Sequence, residues 1–159
     1  MNKFDKIVTK TSRLLDDIAG WVIVAAMALV VINIILRAAL NNPIKGVYEY
    51  TGYLMAVVIG FAIAQCAVEK THIAVDFFID KLNPLAQSVI DTVFSSVTVI
   101  FLVFSSIQVL IYGITVVKSG EVSATAHIPF YPFIFMVSAG LFMLSLVELN
   151  KVVKGVAKK

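Results

Sequence analysis

Few residues of this 159-residue chain have the type and spacing to do chemistry. His72 and Asp76 are four positions apart, which puts them one turn apart on one face if the segment is helical. A metal centre would need further ligands, and Glu69 is a weak candidate, so a hydrogen bond or ion pair that fixes the loop is the expected role. Arg37 and Glu49 flank the sequence Asn41-Asn42-Pro43 and are expected to meet each other across that turn. The alternative is an Arg37 that snorkels to headgroups. His127 stands alone, and Cys66, the single cysteine, reads as a small buried apolar residue, with no disulfide or thiolate cluster within reach. A haem-binding quinone protein needs paired histidines inside its spans, a thiol oxidase needs several cysteines, and a four-helix drug exporter needs an intramembrane carboxylate. None of these sets is present, and no Ser, His and Asp converge. The expectation is no enzyme, no cofactor and no resident metal.

The elements that hold these residues are membrane spans. Hydrophobic residues make up 60% of the chain and charged residues 14%, against about 25% charged in soluble domains. Apolar runs at about 18–40, 50–68, 85–117 and 129–149 predict an all-α membrane protein with four transmembrane helices. Before them, residues 1–17 carry Phe4, Ile7, Val8, Leu14, Leu15 and Ile18 at helical spacing among charges. That pattern predicts an amphipathic helix lying in the headgroup plane, retained rather than cleaved as a signal peptide. Residues 150–159 form a basic tail.

Asn41, Asn42 and Pro43 end the first span, and Pro129 is placed in the first turn of the fourth, where a missing N–H costs nothing. In the second span Gly52, Ala56, Gly60 and Ala64 recur every four residues, a ridge that lets another helix approach closely. The third span exceeds the roughly 20 residues a bilayer needs and carries Ser88, Thr92, Ser95, Ser96 and Ser106, whose hydroxyls should face protein. A second short interfacial helix is expected over 72–82.

Of the thirteen lysines and arginines, only Arg37, Lys45 and Lys118 fall on the side of the Pro43 loop. The positive-inside rule therefore places both termini in the cytoplasm and the Pro43 and Gly120 loops outside. The basic ends suit lipid headgroups rather than nucleic acid. No acidic residue sits at mid-depth of any span, and no Gly-Pro interruption breaks one. A carrier driven by protons or sodium usually needs one or the other. A self-sufficient small carrier and a membrane anchor for another complex remain the competing readings.

The run 33–49, with Arg37, Asn42-Pro43 and Tyr48-Glu49, resembles the first hairpin of the small membrane subunit of tripartite ATP-independent periplasmic (TRAP) transporters, the DctQ type. The segment 65–76, with His72-Ile73-Ala74-Val75-Asp76, is similar to the signature that follows span 2 in that family, and Ile128-Pro129 also matches. The resemblance implies three components: a large multi-span permease that moves an organic acid by a sodium-driven elevator motion, a soluble periplasmic substrate-binding protein, and a small subunit that packs on the static part of the permease and helps dock the binding protein. It implies a location in the bacterial inner membrane.

Overall fold

The computed structural model describes residues 3–69 and 84–157, and four long helices hold most of them. These are α1 (Lys3–Leu40), α2 (Val47–Val68), α3 (Pro84–Ser119) and α4 (Tyr131–Ala157). All four are long and apolar enough to cross a membrane. The extended pairing found among the described residues is an isolated antiparallel bridge between Val122 and Pro129.

The helices pack as a row rather than a closed bundle. α1 lies on α2, α2 on α4, and α4 on α3, while α1 touches α4 only lightly and α3 packs extensively on α4 alone. The two central helices, α2 and α4, are the most buried, and α1 and α3 expose most of their side chains. The most apolar spans are therefore the least buried within the chain. Lipid explains the inversion. Hydrocarbon is as apolar as leucine, so burying leucine against protein gains little there, and small residues that let backbones approach are placed inside instead.

α1 departs from the sequence reading. It runs unbroken for 38 residues, roughly 57 Å at 1.5 Å per residue, against a hydrocarbon core of about 30 Å. No break separates residues 3–17 from the span. The reason is a continuous seam: Val8, Ser12, Leu15, Ala19, Val22, Ala26, Leu29 and Asn33 alternate in steps of four and three, and all are buried or half-buried. That 3.5-residue period keeps one stripe against its neighbours along the whole helix. Ile7, Leu14 and Ile18, which suggested an in-plane amphipathic face, point away and are exposed. Val8 instead joins Ala64, Ala67, Met143, Leu144 and Val147 in a cluster shared by α1, α2 and α4.

Helix ends follow local chemistry. Asn41 takes a left-handed conformation (φ 49°) directly after α1, and Gly120 (φ 68°) ends α3 with its N–H on the Val116 carbonyl at 3.1 Å. Pro129 does not open α4. It is the bridge partner of Val122, and the proline in the first turn of α4 is Pro132. Pro129 has no N–H to give, so it fits a bridge position as readily as a helix start.

Candidate functional site: a loop cap and a glycine crossing

Two places gather the polar and close-packed residues. The first is a cap at the end of the molecule that holds the Pro43 and Gly120 loops. Its base is the segment 122–129. Ser123 donates its N–H to the Ile128 carbonyl at 2.9 Å, and His127 returns its N–H to the Ser123 carbonyl at 3.2 Å. The Ser123 hydroxyl also accepts the N–H of Ile128. His127 takes a positive φ of 55° to close the loop, so its role here is conformational. The folded segment turns the N–H groups of Thr125 and Ala126 outward from the loop tip.

Glu49, in the first turn of α2, receives both. The Thr125 N–H donates to Oε1 at 2.8 Å and the Ala126 N–H to Oε2 at 2.9 Å. A carboxylate that accepts two main-chain N–H groups from one loop is a strong, geometrically specific clamp. It ties the start of α2 to the α3–α4 connection across 77 residues of sequence. Gly46 makes the approach possible. It sits at φ 77°, a conformation that favours glycine, and an added Cβ would collide with Ala126. Beneath the clamp Tyr53 stacks on Phe130 and Phe133, with centroids 5.8 and 5.3 Å apart.

The expected pairing of Arg37 with Glu49 is not formed. The ion pair found among the described residues is Lys151 with Glu148. Glu49 prefers Thr125 and Ala126 because those donors are fixed by the loop, whereas an arginine would have to immobilise a long side chain to compete. Arg37 and Glu49 do line one cavity of about 260 Å³, with Asn33, Pro43 and Ile44. Asn33 holds that cavity's edge by accepting the Ile44 N–H at 2.8 Å, which fixes the turn after α1.

The second place is the α2–α4 crossing. Gly60 lies against Val137, whose Cα would be 3.3 Å from a Cβ added to Gly60, and a Cβ on Gly140 would overlap the carbonyl of Gly60. Backbone meets backbone here. Ala64 is fully buried beside the crossing. The other half of the ridge behaves differently. Gly52 has open space around it, and Ala56 is exposed and lines an apolar cavity between α2, α3 and α4. The ridge is thus split, its Gly60–Ala64 half packed within the chain and its Gly52–Ala56 half left open.

α3 joins α4 through a reciprocal pair of hydrogen bonds. The Ser106 hydroxyl donates to the Ser138 carbonyl at 3.1 Å, and the Ser138 hydroxyl donates to the Ser106 carbonyl at 3.0 Å. Both serines are buried. Ser96, also on the expected hydroxyl face, bonds instead within α3 to the Thr92 carbonyl at 2.7 Å. Gly113 lets the rings of α4 approach, since a Cβ there would press on Phe135.

His72 and Asp76, and the interfacial helix expected over 72–82, lie outside the described residues. Among the described residues no group of three or more His, Cys, Asp or Glu could hold a metal. Cys66, expected to be buried, is exposed, because it points away from the seam that Gln65 and Ala67 occupy. Sequence reasoning missed Gly140, Ser138, Gly46 and the Thr125–Ala126 tip. Ser138-Ala139-Gly140 is a run of small residues in the fourth span, but such a run does not say which helix it meets. Nothing in the residues 124–126 themselves signals an anion-binding loop.

These features define a small multi-pass helical membrane protein braced by close backbone contacts and capped at one end. The family model described as "Tripartite ATP-independent periplasmic transporters, DctQ component" matches residues 9–158. The chain therefore belongs to the DctQ family and is the small membrane subunit of a TRAP transporter, a transport component rather than a member of an enzyme family. No curated protein and no solved structure matches it.

Proposed function

We propose that this chain is the static scaffold of its transporter: it packs against the fixed part of the large permease, widens it in the membrane, and leaves solute and ion binding to that partner. The observation that carries the reading is the charge map of the spans. Residues 18–36, 50–68, 92–117 and 131–147 contain no Asp, Glu, Lys, Arg or His. Intramembrane ionisable residues mark most ion and proton pathways, and a discontinuous helix is the usual substitute. Here the four helices run without interruption at mid-depth.

The row architecture supports the same reading. A chain whose outer helices α1 and α3 bury so little within itself offers long apolar faces to a neighbour. The open Gly52–Ala56 half of the ridge adds a place where another helix could come close. Family membership supports two partners: the large multi-span permease and a periplasmic substrate-binding protein that the Glu49 cap would help dock. The transported class we propose is organic acids such as carboxylates, sugar acids or sulfonates, with sodium as the coupling ion. The lysine and arginine distribution supports an orientation with both termini in the cytoplasm, which puts the Glu49 cap in the periplasm of a bacterial inner membrane.

Gentle purification of the tagged chain tests this. A large multi-span protein should accompany it. Isolation as a homo-oligomer, or with a cofactor-bearing partner, would overturn the scaffold reading.

A further inference from the structure

Two cavities, one holding Arg37 and Glu49 and one deeper, follow each other along α1 and α2. On α1, Ala26, Val30, Asn33 and Arg37 follow each other at steps of four, three and four, so they share one face. Asn33 and Arg37 line the polar cavity at the outer end. One turn deeper, Ala26, Met27, Val30 and Val31 of α1 line a second cavity of about 300 Å³ against Thr51 and Met55 of α2, the Thr51 hydroxyl being buried. Its accessible wall is wholly apolar. The two cavities lie in one α1–α2 seam, polar at the membrane surface and apolar below it.

Arg37 makes no ion pair or hydrogen bond among the described residues, although Glu49 lines the same cavity. The Glu49 carboxylate is held by the N–H groups of Thr125 and Ala126 and by the side chains of Ser123 and Thr125, and it keeps its negative charge at the wall of the cavity. The cavity thus offers a cation on one wall and a carboxylate on another without joining them. Arg37 lies two turns above Val30, about 10 Å, the interval between a headgroup and the upper acyl chain.

We propose that the α1–α2 seam is a binding site for an outer-leaflet phospholipid with a zwitterionic headgroup. Arg37 holds the phosphodiester, Glu49 faces the ammonium, and an acyl chain lies along Val30, Met27 and Met55. Guanidinium and phosphate form charge-assisted hydrogen bonds with good geometric fit. The neutral sum of Arg37 and Glu49 favours an ethanolamine headgroup over a purely anionic one. This inference rests on the chain spanning a membrane with the proposed orientation, both termini in the cytoplasm, and is independent of whether it acts as a scaffold.

Native mass spectrometry of the full chain with its permease, titrated with dioleoyl phosphatidylethanolamine and dioleoyl phosphatidylglycerol, tests the site. The ethanolamine lipid should bind more tightly. Arg37→Gln should weaken it roughly ten-fold, as loss of a charge-assisted contact predicts, with Arg37→Lys intermediate. Val30→Trp, which fills the groove and leaves the headgroup pocket intact, should also weaken it, whereas Ile32→Trp, on an exposed face of the same helix, should not. Unchanged lipid binding in both Arg37→Gln and Val30→Trp would overturn the proposal. So would displacement of the lipid by inorganic phosphate, which would assign the pocket to soluble anions, or a cross-link showing Arg37 against the permease.

Discussion

The central pair of helices and the flanking pair solve opposite problems. Where α2 meets α4, Gly60 and Gly140 bring two backbones together and leave no space for even a methyl group. On α3, large apolar residues such as Phe94, Ile100, Phe101 and Phe104 are all exposed. In water such a face would be a liability, and in hydrocarbon it costs nothing. The difference teaches where structure is specified. In this chain glycines set how closely the central helices approach, while many of the largest apolar residues lie exposed on the flanking helices.

The most damaging way to break that contrast is to enlarge Gly140. Gly140→Ala places a Cβ in the Gly60 carbonyl and should cost about 1–3 kcal/mol, the range for overpacking a tight core. Thermal unfolding of the detergent-solubilised chain reads it, and Phe101→Ala on the exposed face of α3 should leave the midpoint nearly unchanged. Equal losses at both positions would mean that the exposed face is as specified as the crossing.

The two halves of the ridge in α2 sharpen the comparison. Gly60→Leu should lower both the stability of the isolated chain and the yield of complex with the permease, because Val137 stands in the way. Gly52→Leu has open space and should leave the isolated chain stable, so any loss it causes in complex yield reports a partner on that face. Co-purification against a tagged permease separates the two outcomes.

At the Glu49 cap the expected effects are local. Glu49→Ala removes the acceptor of two N–H groups and should expose the loop 120–130 to proteolysis while the helices stay intact. Exchanging the charges, Arg37→Glu with Glu49→Arg, should not restore protection, since the partner of Glu49 is the loop and not Arg37. Restoration by the double exchange would revive the direct ion pair. The smallest effect belongs to Ser106→Ala, about 0.6 kcal/mol, the average for a hydrogen bond between membrane helices. The double change with Ser138→Ala should be close to additive, because each hydroxyl bonds the other's carbonyl rather than the other's hydroxyl.

The four spans and their order were legible in the sequence, because a bilayer imposes length and apolarity on every crossing. The Gly60–Ala64 contact was legible for the same kind of reason, as spacing on one helix face. The partner Gly140 was not, since a ridge on one helix says nothing about which helix receives it. The unbroken α1 was hidden by its charges: Lys10, Arg13 and Asp17 suggested a polar in-plane helix, and the seam through Ser12, Leu15 and Ala19 shows only when the period is followed past residue 17. The Glu49 clamp depends on the closed fold of 122–129, and main-chain donors leave no mark in residue types.

The central claim is that the spans of this subunit brace a partner and bind no transported solute. Its most direct test is gradient-driven uptake in proteoliposomes, with a panel of organic acids and an imposed sodium gradient, using this chain alone, the permease with its binding protein, and all three together. The account predicts no uptake by this chain alone and uptake by the complete assembly. Solute accumulation by this chain alone would contradict it.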